Sequence, residues 1–309
     1  MTELVIADAI APQRTRFLTP ALRRQALGFS LVAPSFVLLI LFTYWPAAKV
    51  VWQSVHDEER GKTIFVGLKN FAAIFADTAF QQSLINNGIY AVGTVVPSLC
   101  LALGFALALD RSKIVNVVLR SMFFAPVLVP LVAVASLFLF IFLPGVGLLD
   151  HYLAKLGAQG ANWIGDPDIA LASIMVLTIW KNAGYYMLFF LAGLQAIPAE
   201  AYEAAILDGA SPWQRLYYVT LPYLRQTSAF VVVIAGLNVI TQVDHIFVLT
   251  KGGPSDSTKL LLFYVYEQAV ERYDVGKAAA ATVVSLALLL ALSFFSLRRT
   301  EGEGEAGAA

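Results

Sequence analysis

Long apolar runs alternate with short polar stretches along this chain. The runs cover residues 29–45, 89–109, 122–143, 170–194, 229–249 and 278–297. Each falls within the roughly 17–25 residues that cross about 30 Å of hydrocarbon. No water is present there to bond backbone N–H and C=O groups, so each run is expected as a helix that closes its own hydrogen bonds. The third run carries Pro126 and Pro130, which break it. The pattern predicts an all-α membrane protein with six transmembrane helices. It divides into a cytoplasmic tail (1–25), a first span (26–48), an extracytoplasmic loop (49–84), a core domain of the remaining spans (85–298) and a C-terminal tail (299–309) expected to be disordered.

Between the fourth and fifth runs lies a polar, punctuated island, residues 203–222. Pro198 opens a helix at its first turn, where a missing N–H costs nothing. Glu200 and Glu203 then lie near the positive helix start. Asp208-Gly209 is a stop, because glycine takes φ > 0 without a Cβ penalty. Ser211, Pro212 and Gln214 stand at the N-cap, N1 and N3 positions of a capping box. The island therefore reads as helix, tight turn, helix within a loop spanning 195–225. An ordinary connecting loop would be as polar, but would not need two capped helices.

Composition sharpens the class. The chain is 59% hydrophobic and 14% charged, with a mean hydropathy of +0.72, against about 45–50% and 25% for soluble domains. A membrane protein fits. The formal net charge is zero, so it selects no partner, and nothing points to nucleic acid. Cys100 is the only cysteine, and His56, His151 and His245 are scattered; no metal site is expected. Gly61-Lys62-Thr63 ends like a phosphate-binding loop, but His56 stands where the first glycine belongs and no apolar strand precedes it.

Orientation follows from basic residues at span ends. Arg14, Arg16, Arg23 and Arg24 precede the first run; Arg111, Lys113 and Arg120 crowd the second link; Arg215 and Arg225 lie in the polar island; Arg298 and Arg299 close the sixth run. All fall on one side of a six-span chain, which places both termini and the island in the cytoplasm. A cleaved signal peptide is the alternative for the first run, but Tyr44, Trp45 and Pro46 read as an interfacial belt rather than a cleavage site.

Charges and amides inside the membrane are candidate pathway residues. A charge at the bilayer centre costs about 2.5–3.5 kcal/mol on insertion scales. The fourth run holds Lys181 and Asn182, with Tyr185 and Tyr186 a turn on; the fifth holds Asn238, Gln242, Asp244 and His245. For Lys181 and Asp244 the plainer readings are snorkelling to the outer interface or a structural ion pair. For Asn238 and Gln242, one turn apart, it is interhelical hydrogen bonding.

The island resembles the cytoplasmic EAA motif of binding-protein-dependent ABC importer permeases: Glu203-Ala204-Ala205, three residues, Gly209, then Val219-Thr220-Leu221-Pro222, with Asp208 ahead of the glycine. Residues 65–71, 180–198 and 249–254 resemble segments of the carbohydrate branch, the maltose-type and glycerol-3-phosphate-type permeases. The resemblance implies a bacterial or archaeal cytoplasmic (inner) membrane protein of the type I importer permease fold, with no catalytic residue. It would pair with a second permease subunit, a different chain in the usual carbohydrate arrangement. Two ATPase subunits would bind the ATP and Mg, this chain holding no cofactor. An extracytoplasmic substrate-binding protein would deliver a small carbohydrate-type solute. It also implies that Glu203 pairs with a basic residue of an ATPase cleft, that Gly209 holds the turn, and that Thr178, Lys181, Asn182, Tyr185, Asn238 and Gln242 match the sugar-lining positions. Asp244 joins them from its place in the fifth run.

Two other classes compete. A secondary transporter or channel would want more ionisable residues at mid-membrane, and would leave the two-helix island unexplained. A membrane-embedded enzyme would need a nucleophile facing His245, or a His-Glu-x-x-His pattern, which the sequence does not contain.

Overall fold

The computed structural model of the chain describes residues 20–59, 61–110 and 114–301, with side chains over 28–58, 61–110 and 115–294. The basic tail with Arg14 and Arg16, the link residues Arg111 and Lys113, and the tail beyond 301 lie outside the described residues. So do the side chains of Arg23, Arg24, Arg298 and Arg299. The chain falls into two compact units, residues 1–50 and 51–309.

The first unit is helical throughout its described part: α1 (Pro20–Leu39), a π-helical turn (Ile40–Tyr44) and the start of α2 (Trp45–Ser54). Its large apolar side chains, Phe36, Phe42 and Trp45 among them, are exposed. That suits a helix surrounded by hydrocarbon rather than water.

The second unit begins with a feature the polarity pattern does not predict. The stretch expected as a loop contains an antiparallel hairpin, β1 (His56–Glu59) and β2 (Lys62–Phe65), turned at Gly61 (φ +75°), and then α3 (Lys69–Ala76). Buried Asn70 donates to the carbonyls of Ser54 and His56 at 3.0 and 2.9 Å, fixing α3 against the chain entering the hairpin. Apart from the hairpin, the described residues form helices and connecting turns.

Five described helices are long and apolar enough to cross a membrane, or six if one bent pair counts as a span. α4 (Thr78–Leu109) starts well before the apolar run that marks it, capped by the Asp77 carboxylate on Ala79 N–H at 2.9 Å. The expected third span is not one straight helix. α5 (Ile114–Leu128) and α6 (Leu131–Ile141) meet at 96°. Pro130 offers no N–H and holds φ −53°, ψ 138°, so the helix stops at Leu128 and restarts at Leu131. A short helix, α7 (Leu148–Lys155), leads to α8 (Ala170–Gln195). The expected fifth span is also interrupted: α12 (Arg225–Thr241) gives way to extended backbone at Gln242 (ψ 99°), and α13 (Asp244–Leu249) begins two residues after it. α14 (Leu261–Tyr266), a π-helical turn (Glu267–Glu271) and α15 (Val275–Glu301) close the chain.

α4 and α8 form the centre, packed side by side. Gly184 permits the approach of α5: a Cβ there would overlap the Phe123 carbonyl oxygen. One apolar cluster joins Tyr90 of α4 and Ile174 and Leu177 of α8 to Val239, Val243 and Ile246 of the broken fifth span. A second joins Ala102 and Ala106 of α4 to Met187 and Phe190 of α8 and Val231 and Ala235 of α12.

Residues 250–274 are tied to the start of α4 by polar contacts. Asn86 donates to the carbonyls of Asp256 and Lys259 at 2.7 and 3.0 Å, and Tyr264 donates to Asp77 at 2.8 Å. Lys259 is buried and pairs with Asp256 (2.9 Å) and Glu267 (2.6 Å). Burial opposes its charge, but these two partners overcome that and hold its pKa above the ordinary lysine value. Between α6 and α8, buried Asp150 accepts from Gly145 N–H at 2.6 Å and Trp163 Nε1–H at 2.7 Å. These bonds, the Gly145 one foremost, lower its pKa.

Two outcomes follow from this packing. Gly184→Ala is expected to destabilise the purified chain by about 1–3 kcal/mol, the usual range for overpacking. Gly104→Ala, where a Cβ meets nothing within 4 Å, should not; thermal melting in detergent compares them. Because folding lowers the Asp150 pKa, its bonds contribute stability above the ordinary aspartate value of about 3.9 and lose it as pH falls through the lower folded value. Trp163 fluorescence, in a chain keeping only that tryptophan, should therefore change below about pH 4 and not above it. Asp150→Asn should abolish the transition.

Candidate functional site

Two places carry the candidate residues: the island between α8 and α12, and the interface of α4, α8 and the broken fifth span.

The island folds largely as its local chemistry dictates. α9 (Ala199–Leu207) starts one residue after Pro198, which occupies the N-cap rather than the first turn. Gly209 sits at φ +78°. Ala210 N–H reaches the Ala205 carbonyl at 2.9 Å and Gly209 N–H the Ile206 carbonyl at 3.0 Å, the paired bonds of a Schellman C-cap. The capping box is complete: Ser211 N–H donates to Gln214 Oε1 (2.7 Å) and Gln214 N–H to Ser211 Oγ (3.4 Å). α10 (Pro212–Arg215) runs through a π-helical turn (Leu216–Thr220) into α11 (Leu221–Tyr223). The wide turn lets Leu221 N–H reach back to the Leu216 carbonyl just before Pro222, which has no N–H to offer.

One tertiary bond that the spacing does not reveal holds the two arms together. The Tyr202 and Thr220 hydroxyls meet at 3.0 Å, with Thr220 buried. Glu203, Ala204, Asp208 and Gly209 are exposed, and Ala205 is half-buried. Leu207 (88% exposed) and Trp213 (79%) stand out from the same loop, near half-exposed Ile206. Leu221 and Pro222 follow at its exit and are exposed. The loop thus presents the carboxylates of Glu200, Glu203 and Asp208 beside large apolar side chains.

The membrane site is a seam of hydroxyls and amides. α4 contributes Tyr90, Thr94 and Ser98, and α8 contributes Thr178, Asn182 and Tyr186, both at four-residue spacing and therefore each on one helix face. All six are buried. Asn238 of α12 completes the set, donating to the Tyr186 hydroxyl at 3.1 Å. Thr94, Ser98, Thr178, Asn182, Tyr186 and Asn238 surround a cavity of about 10 Å³, enclosed further by Val95 and Val239. No charged side chain lines it.

Of the residues the sequence singles out, the structure brings Thr178, Asn182 and Asn238 to this cavity. Tyr185 points elsewhere, with its ring centroid 5.6 Å from that of Tyr186 and 5.1 Å from that of Phe189. Its neighbour Tyr186 takes the lining place. Gln242 is half-buried at the break after α12, and Asp244 is exposed in the first turn of α13.

Lys181 does not snorkel. It is 6% exposed, and its ammonium donates to the carbonyls of Pro126 (3.1 Å), Val127 (3.4 Å) and Val129 (2.7 Å). These carbonyls lie at the bend that ends α5; that of Pro126 also accepts from Val129 N–H at 3.4 Å, and the bend takes those of Val127 and Val129 out of the helical pattern. A cation there also meets the negative end of the helix dipole. Arg120 acts similarly on α4, its Nε–H donating to the Leu109 carbonyl at 3.1 Å and its Nη2 reaching the same oxygen.

His245, for which the sequence shows no nucleophile partner, is fully buried. Its Nε2 lies 2.9 Å from the Tyr90 hydroxyl, which lies 2.7 Å from Thr178 Oγ1. Reasoning from charges alone misses Tyr90, Thr94 and Ser98. The signal was available as polar residues every fourth position along an otherwise apolar α4. Larger open cavities lie away from the seam: one of about 350 Å³ between the hairpin and the chain entering α15, lined by Trp52, Glu58, Thr63, Arg272 and Tyr273 among others, and one of about 710 Å³ beside α6, lined by Phe138, His151 and Trp180 among others.

Residues 100–299 match the family described as "Binding-protein-dependent transport system inner membrane component". The chain is 33% identical over 280 residues to the sn-glycerol-3-phosphate transport system permease protein UgpA of Agrobacterium fabrum, covering 89% of this chain and 94% of that one. It is 31% identical over 290 residues to the sulfoquinovosyl glycerol transport system permease protein SmoG of the same organism, covering 93% and 94%. The fold matches a chain of a bacterial alginate ABC transporter, solved in complex with an alginate pentasaccharide-bound periplasmic protein, with TM-score 0.81 at 20% identity over 91% of this chain and 96% of that one. The chain belongs to the binding-protein-dependent ABC importer permeases, as a non-catalytic, multi-pass inner-membrane component whose ATPase is a separate partner.

Proposed function

We propose that the chain forms, with a second and different permease, the translocation path of an importer for a small carbohydrate-type solute. An extracytoplasmic binding protein delivers that solute, and two ATPase subunits power its passage. The observation that carries the solute class is the seam lining. Hydroxyls, amides and one phenol, with no charge among them, suit a hydroxyl-rich, uncharged ligand. The nearest cation of the expected set, Lys181, is spent on backbone carbonyls. A glycerol-3-phosphate-like solute is the second reading, supported by likeness to a permease named for that substrate. It requires a cation to reach the phosphate.

The loop 195–225 is the grip for the ATPases. In a six-span chain it lies on the side opposite residues 49–84 and 250–274, so both termini are cytoplasmic if the ATPases are. Exposed Leu207 and Trp213 suit burial in a cleft, and exposed Glu203 suits a basic partner within it. The Schellman turn, the capping box and the Tyr202–Thr220 bond make the loop stiff, so displacement at Glu203 passes to α12. The hairpin and residues 250–274 form the opposite face, where the binding protein docks.

Glu203→Lys should reduce solute uptake at least tenfold, roughly the 1.4 kcal/mol that one reversed ion pair supplies, while the chain still inserts at normal levels. Unchanged uptake would remove the docking role. With labelled maltose and labelled sn-glycerol 3-phosphate as probes in proteoliposomes, uptake of maltose alone supports the uncharged class, and uptake of the phosphate alone overturns it. For whichever is carried, Asn182→Ala should raise KM about tenfold with little change in maximal rate. Lys181→Met should instead lower the amount of folded chain and leave KM unaltered; an altered KM would return Lys181 to the solute site.

A further inference from the structure

We propose that Tyr90 is a positioning residue for transport: its hydroxyl, shared between Thr178 and His245, is the latch that holds the outer end of the polar seam shut. The proposal rests on the seam being the solute path. α13 is only six residues long and is cut from α12 by the extended backbone at Gln242. Its place is therefore set by side-chain contacts rather than by a continuous helix. Apolar contact with Ile174, Leu177 and Val134 holds it without direction. The directional contact is His245 Nε2 to Tyr90 at 2.9 Å, with the two rings stacked 5.9 Å apart at 25°.

One arrangement of protons satisfies the whole chain of contacts. His245 Nε2–H donates to the Tyr90 oxygen, Tyr90 O–H donates to Thr178, and Thr178 O–H donates to the Ile174 carbonyl at 3.1 Å. It leaves His245 Nδ1 bare, and that atom meets no protein hydrogen-bonding group. A buried acceptor without a partner weakens the state that contains it. The latch is thus made of real bonds but is poised to yield.

Thr178 belongs both to the latch and to the cavity wall. A solute hydroxyl that donates to the second lone pair of Thr178 Oγ1 from the cavity shares the oxygen that accepts from Tyr90 and draws it off the line of that bond. Weakening that bond loosens Tyr90 and, through it, His245 and α13. Solute occupancy and the opening of the outer end are thereby linked through one shared atom, which supplies the differential contact that a coupled equilibrium needs.

The test uses the assembled importer in proteoliposomes, without binding protein or solute, and reads basal ATP hydrolysis per assembled complex. Tyr90→Phe and His245→Leu should each raise it about fivefold, the weight of one hydrogen bond. The double variant should add nothing further. His245→Gln, whose amide nitrogen can donate in place of Nε2, should return hydrolysis toward the wild-type rate. Unchanged hydrolysis in both Tyr90→Phe and His245→Leu overturns the latch, as does a His245→Gln variant as active as His245→Leu. If Tyr90→Phe does not assemble, the His245 pair decides. The path reading fails separately, through an unaltered KM in Asn182→Ala, whatever the hydrolysis rates show.

Discussion

A lysine ammonium resting on three carbonyls holds this membrane core together. The bend between α5 and α6 breaks the rule that backbone groups in hydrocarbon satisfy one another within a helix. Lys181 restores it from α8, across the contact that Gly184 makes close. Each side solves the other's problem: the carbonyls accept a charge that would be costly alone, and the charge covers oxygens that would be costly bare. The kink, the tight α5–α8 approach and the burial of a lysine are thus one feature. Arg120 applies the same solution to the end of α4.

That interaction also shows where sequence reading stops. The two prolines mark a break in the third run, but no local rule gives its 96° angle or says which side chain will cover the freed carbonyls. A lysine in an apolar run invites a functional reading because its cost is visible in the sequence and its partner, 52 residues away, is not. The opposite error befell Tyr90 and His245. Both looked ordinary, a tyrosine among apolar residues and a scattered histidine, until α4 and α13 were set side by side.

The loop between α8 and α12 was legible almost in full, because its structure is local. Cap, turn glycine, proline at N1 and capping box each act over fewer than six residues, and all are found in place. What was hidden there is the Tyr202–Thr220 bond, which depends on where the second arm folds back. In the membrane the spans were legible by hydropathy, but their ends were not. α4 begins eleven residues before its apolar run, held by a polar cap, and the hairpin has too little apolar alternation to announce itself.

The closed seam has an electrical consequence. A space of about 10 Å³ holds at most about one water molecule, and a single water cannot form the continuous file along which protons hop. Moving one charge through a membrane potential releases about 2.3 kcal/mol per 100 mV, so a path lined with hydroxyls invites leakage whenever it is wet. Packed helix against helix, these polar faces bond to one another and leave no room for such a file. Polar faces that bond one another this closely are, in this state, an insulator.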